Sequence, residues 1–237
     1  KTNNFFYPSK ISKVSNNEYG CTCSHLKALE YFVNNINEEL CIICEDDISF
    51  EYTYYWKKTL NDYIKEAPND WDLLILFINT YKTDIKLEFT KYKYLNIHGT
   101  AFYIIKKEKA KNILSLVKKK NNKYNFENSD KYNIISDKLL YKYINNVYFY
   151  PLVTTLNKDS TIHPNHITNH IISKKRLLNL WKKEYNTNFE SKKEYNTNFE
   201  SAKNFVDMKI KHNNESLSGP GSHINNTNET INLINKT

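Results

Sequence analysis

Apolar residues fall into three short, nearly unbroken runs, separated by stretches in which they recur every three or four positions. Residues 40–47, Leu-Cys-Ile-Ile-Cys-Glu-Asp-Asp, are apolar at first and end in three consecutive acids. The other two runs are 71–78, Trp-Asp-Leu-Leu-Ile-Leu-Phe-Ile, and 98–105, His-Gly-Thr-Ala-Phe-Tyr-Ile-Ile. Runs this short that do not alternate with polar residues suit strands covered on both faces. Leu26, Ala28, Leu29, Phe32, Val33 and Ile36 predict a helix that Ser24 would cap. Trp56, Leu60, Tyr63 and Ile64 predict a second over 54–65, stopped by Pro68. Ala110, Ile113, Leu114 and Val117 predict a third that carries Lys118-Lys119-Lys120 on its solvated side. Elsewhere the stretch before Tyr19 reads as a loop, 88–97 as an edge strand and 121–129 as a loop. Asp137 opens a short helix, 147–150 form a strand that Pro151 ends or bends, and 171–181 form a last helix.

Strands alternating with helices predict an α/β domain whose sheet is covered on both sides. The expected domain spans 1–181. After it, 182–191 and 192–201 repeat the same ten residues, a period that keeps no single helix face buried. Beyond Asn213 the chain is dominated by Asn, Thr, Ser and Gly, so 182–237 reads as a helical or disordered extension.

The chain can form a core for one sizeable domain, since 40% of the 237 residues are hydrophobic. No stretch is apolar for long enough to cross a bilayer, and the first residues, which do not begin with Met, lack a signal peptide's apolar segment, a reading that leaves the compartment cytoplasmic or unassigned. The net charge of +8 and the Lys-rich third helix suit an anionic surface, such as a membrane touched peripherally, without requiring nucleic acid. The four cysteines invite a zinc reading. However, Cys41 and Cys44 lie three apart on a strand and face opposite sides, so buried free thiols are expected.

The chemistry gathers at the end of the first run. Three adjacent carboxylates repel one another unless a cation or protons relieve them, and hard oxygen donors favour Mg²⁺ or Mn²⁺. On a continued strand, Glu45 and Asp47 would share a face and Asp46 would take the other. A solvated acidic turn is the alternative, and acids beside a Lys-rich helix would also suit a metal-dependent nuclease. Ser24 and His25 at a helix start would form an anion site. Glycine is scarce, and Gly20 and Gly99 flank the strongest segments, where a close-approaching ligand would need them.

In this order and spacing, Gly20-Cys21-x-x-Ser24-His25, the strand ending in Glu45-Asp46-Asp47, Trp71-Asp72-Leu73-Leu74 and Gly99-Thr100-Ala101-x-Tyr103 resemble glycosyltransferase family 25. Asp137 and the stretch after Pro151 resemble its closing region, so the likeness runs from about Gly20 to His163. The resemblance implies a GT-A-like nucleotide-sugar-binding sandwich with a mixed, mostly parallel central sheet. It implies inverting transfer of a hexose, galactose or glucose, from a UDP-sugar to a glycan or protein hydroxyl, with no nucleic-acid partner. It also implies Mn²⁺ or Mg²⁺ on Asp47, with Gly20, Ser24, His25, Glu45, Asp46, Gly99 and Thr100 around the donor. Asp137, or failing it Asp72, would be the base. Two departures stand out: nothing before Gly20 resembles the family's first strand and Arg-containing segment, so a truncated or impaired enzyme is expected, and Phe77-Ile78 replace a glycine after the Trp-Asp strand.

Overall fold

The structure, a computed structural model, describes residues 5–50, 53–79, 85–92, 99–156, 167–185 and 229–231. In chain order the elements are β1 (Phe6–Tyr7), α1 (Asn16–Asn35), β2 (Leu40–Cys44), β3 (Ile48–Ser49), α2 (Leu60–Glu66) and β4 (Leu73–Phe77). They continue with β5 (Thr90–Lys91), β6 (Phe102–Lys106), α3 (Lys107–Leu116), β7 (Lys119–Lys120), β8 (Lys123–Asn125), α4 (Ser136–Lys142), β9 (Val147–Thr155), α5 (Ile167–Tyr185) and β10 (Glu229–Ile231).

The three apolar runs become β2, β4 and β6, side by side in the larger sheet, whose order is β10-β2-β6-β4-β9-β3 with β5 also on β9. Both faces are covered, as expected for runs without polar alternation. Cys41, Ile43, Leu73, Ile75, Tyr103 and Ile105 join the core on the side of α1, α3 and α4. Their alternates Ile42, Cys44, Leu74, Leu76, Phe102 and Ile104 pack on the side of α2 and Trp56.

The sheet is mixed but not mostly parallel. Among the described residues β4 and β9 form its parallel pair, while β2–β6, β4–β6, β3–β9, β5–β9 and β10–β2 are antiparallel. Parallel neighbours need a crossover. Here β6 follows β4 in the chain and returns directly beside it, between β4 and β2.

Several local expectations are corrected. Helix α1 starts eight residues before Ser24, because Ser15 and Glu18 form a capping box: Ser15 Oγ accepts from Glu18 N, and Glu18 accepts from Ser15 N at 2.8 Å. The second helix is split into a short 3-10 turn at Thr53–Tyr55 and α2, which the Thr59–Asp62 capping box begins. Lys119 and Lys120 lie in a hairpin with β8, not on α3; Asn121 and Asn122 take φ of 49° and 59°, as a two-residue turn of this hand requires. The opening segment and 121–129, both expected as loops, supply β1 and β8, which pair in parallel in a second, small sheet. By contrast, β9 continues past Pro151 as a strand bent there was expected to, with an irregularity where Ile75 and Phe77 of β4 face Phe149 and Val153.

Helix α5 passes the expected boundary at 181 and ends at Tyr185; Trp181 is buried and donates from Nε1 to Pro151 O at 3.0 Å. The turn-rich 160–164 segment, the decapeptide repeats beyond Tyr185 and most of the polar tail lie outside the described residues. Among the described residues, no helix is long and apolar enough to cross a membrane.

Candidate functional site

The strand register decides what Glu45 meets. Cys41 and Ile43 face α1, and Glu45, next in that alternation, reaches the same side just beyond β2, where its N–H donates to Ala101 O at 2.7 Å. His25 meets it there from the inner face of α1, enclosed at 1% exposure. Its Nε2 lies 2.9 Å from Glu45 Oε1, and its Nδ1 lies 3.2 Å from the hydroxyl of Tyr103, which points to α1 from β6. Burial by itself would discharge the ring; hydrogen bonds with Cys21 and Glu45 outweigh that and raise His25 from 6.5 to about 10. At neutral pH an imidazolium therefore faces the Glu45 carboxylate.

A second group of contacts grips the start of β6. Gly99 N donates to Asp137 Oδ2 at 3.0 Å, Tyr141 OH donates to Gly99 O at 2.6 Å, and Thr100 Oγ1 donates to Asp137 Oδ1 at 3.1 Å. Asp137 and Tyr141 stand one turn apart on α4, so one helix face holds both the N–H and the C=O of Gly99. Burial keeps the phenols of Tyr103 and Tyr141 well above their ordinary range, so both stay protonated; Tyr141 donates to Gly99, and Tyr103 accepts from the charged His25 ring. The two groups meet at Thr100, whose hydroxyl is 3.4 Å from His25 Nε2 and 3.2 Å from Ser136 Oγ. Ser136 in turn lies 3.6 Å from Cys21 Sγ.

Five of the residues singled out in the sequence are thus brought together: His25, Glu45, Gly99, Thr100 and Asp137. Asp46 and Asp47 follow on the turn between β2 and β3, the first exposed and the second half-buried, with Leu156 N donating to Asp47 O at 2.6 Å. Gly20 and Ser24 do not sit at a helix start. Gly20 is exposed within α1, and Ser24 lies half-buried further along the same helix, so the expected anion site at Ser24 and His25 is not formed. Asp72 is at the other end of the sheet. Its carboxylate is 3.7 Å from Lys109, and its C=O accepts from Lys106 N, whereas Glu45 lies beside Ala101, which removes Asp72 as an alternative base.

Cys21, Tyr103, Ser136 and Tyr141 were not singled out for the site. Cys21 had a readable signal, four residues before His25 on one helix face. Tyr103 closes the Gly99-Thr100-Ala101-x-Tyr103 motif without its contact being readable there, while for Tyr141 and Ser136 the partners come from other elements and no local pattern marks them.

The glycosyltransferase family 25 model, described as an LPS biosynthesis protein, matches residues 1–140. The chain belongs to this family. It is a glycosyltransferase, which brings a nucleotide sugar and an acceptor as its substrates and displaces the nuclease alternative. The match begins before Gly20 and ends before His163, taking in the N-terminal segment that the motif likeness left out. No curated protein and no solved structure matches the chain.

The donor types decide which ion the turn after β2 could hold. Asp46 and Asp47 offer hard oxygens on one turn, which fits Mn²⁺ or Mg²⁺. Glu45 is paired with His25.

Proposed function

We propose that this family 25 enzyme moves a hexose, galactose or glucose, from a UDP-sugar to a hydroxyl of a glycan or protein acceptor, with inversion and with Mn²⁺ or Mg²⁺ bound. The observation that carries this reading is the meeting of the acid turn after β2 with the gripped Gly99-Thr100 start of β6 and with Asp137, all at one end of the sheet's strands. Asp47 would hold the ion, with Asp46 beside it. Such an ion supplies Lewis-acid neutralisation of the donor diphosphate and so favours departure of UDP.

The side chains of this chain do the rest. His25, too deeply buried to touch the donor or the acceptor, is a positioning residue that fixes the outer oxygen of Glu45 for a hydroxyl of the ribose or sugar. The clamp from α4 keeps Gly99 and Thr100 rigid, so the donor meets a preformed wall. Asp137, half-buried at the same end, is the candidate base for the acceptor hydroxyl. Its Oδ2 accepts from Gly99 N and retains a second lone pair for that proton, while Oδ1 accepts from Thr100 and, at 3.5 Å, from Ser136.

Calorimetric titration of UDP with and without Mn²⁺ tests the donor site. Asp47→Asn should abolish the Mn²⁺-dependent part of binding while the melting curve stays cooperative; undiminished Mn²⁺ dependence would remove Asp47 from the site. For the base, Asp137→Asn should lower transfer by about 10²–10⁴ with UDP binding retained. Transfer within about tenfold of the unaltered enzyme would assign the proton to another group. Product NMR, reading the anomeric configuration, checks inversion directly.

A further inference from the structure

We propose that Cys21, His25 and Glu45 bind a zinc-class divalent cation, at a site separate from the Asp46–Asp47 turn. Three observations support it. The Cys21 sulfur, a His25 ring nitrogen and a Glu45 oxygen lie within 4.8 Å of one another, so one ion can reach all three. Zinc bonds of about 2.0–2.3 Å put tetrahedral ligand atoms roughly 3.5 Å apart, and rotation of the half-buried Cys21 and Glu45 side chains can close the difference.

The donor chemistry is also selective. Thiolate and imidazole prefer zinc-class ions to Mg²⁺ or Mn²⁺, in contrast to the oxygens of the neighbouring turn. Cys21 and His25 stand at i and i+4 on α1, the spacing that places two ligands on one helix face, and Glu45 comes from the strand end that this face covers.

The surroundings are those of a ligand set. The Tyr103 hydroxyl at His25 Nδ1 orients the ring and turns Nε2 toward the other two groups, as outer partners of metal-bound histidines do. Three protein ligands leave a fourth position for water, and Cys21 and Glu45 are half-buried rather than enclosed. Among the described residues Cys21 is the thiol grouped with His25 and Glu45, whereas burial pushes the thiols of Cys23 and Cys41 up to about 12. Binding would release the thiol proton and the ring proton, the dication taking over the role that the proton on His25 has in the metal-free protein. Without a cation, the same three groups hold together as a hydrogen-bonded network.

Cobalt(II) distinguishes the two states, because a thiolate ligand gives it a charge-transfer absorption. The full chain, kept reduced by a phosphine, should bind one equivalent with that absorption, and zinc should displace it. Cys21→Ser should remove the band and weaken zinc binding by more than the roughly 10–100-fold that loss of an outer partner costs, whereas Cys23→Ala should keep both. An unchanged melting curve for metal-free Cys21→Ser confirms that the fold is intact. A wild-type chain without the band, or a band that survives Cys21→Ser, overturns the site. Neither result touches Mn²⁺-dependent UDP binding, which depends on Asp47.

Discussion

Gly20 and Gly99 look alike in the sequence, each a rare glycine beside a strong segment, and the fold uses them in opposite ways. Gly20 is exposed in the body of α1, where a Cβ would meet nothing within 4 Å. Gly99 has φ of +125°, and a Cβ there would come within 2.6 Å of the Phe77 ring. Its N–H and C=O are both held by α4. One glycine is an accident of helix composition; the other is a geometric requirement of the site wall. The difference teaches that a glycine's neighbours in sequence say little, while its φ and its nearest ring decide its role.

The largest expected effect follows from Gly99. Gly99→Ala combines a backbone conformation that side chains rarely adopt with a clash on Phe77, and should cost about 4 kcal/mol of stability. Denaturant unfolding of Gly99→Ala, Phe77→Leu and the pair separates the two causes. The smaller residue should recover the steric share and leave the backbone share, so a fully additive pair would mean that Phe77 is not the obstacle. The family-atypical Phe77 would then need another explanation.

The same contrast tells how much could be read beforehand. Strands β2, β4 and β6 were legible because both faces of each are buried, and the buried faces leave apolar letters at every position. The start of α1 was not: the Ser15–Glu18 box is built wholly from polar residues, which resemble a loop until their reciprocal hydrogen bonds are seen. The sheet's antiparallel character was hidden for a different reason. It depends on β6 entering between β2 and β4, a spatial order that no local pattern records. In the site, the carboxylates and Thr100 were legible by type and place. Tyr103 and Tyr141 were not, since each acts through a contact to an element distant in the chain, with His25 and Gly99.

His25 sharpens the comparison by linking the two regions, since it lies on the helix of Gly20 and touches the residue after Gly99. Its folded value, about 10, is above the ordinary 6.5, so the charged ring stabilises the fold fully below about 6.5 and loses that contribution as pH rises toward 10. With chelator present, unfolding free energy should decline across that window by up to about 5 kcal/mol, and His25→Gln should flatten the decline. Parallel profiles for the two proteins would show that His25 is neutral in the fold. Glu45→Gln should lower the His25 value, visible as an imidazole NMR titration moved to lower pH.

A smaller effect checks where α1 begins. Ser15→Ala removes the acceptor for Glu18 N and should cost about 1 kcal/mol, with Ser24→Ala in the body of the helix well below that. The reverse ranking would place the helix start back at Ser24 and restore the anion site there.

Gly20→Ala is the smallest change and carries the sign that separates the two glycines. Alanine is favoured over glycine inside a helix because glycine gives up more chain freedom on folding, and an exposed position with open space adds no steric term. The substitution should therefore raise stability by about 0.5–1 kcal/mol, against the large loss expected at Gly99. UDP binding should be unchanged, because a methyl group on the outer side of α1 is directed away from Glu45 and Thr100, which His25 meets from the inner side. A gain in stability together with weaker UDP binding would return Gly20 to the donor site, since only a ligand lying against that open surface could feel the added carbon.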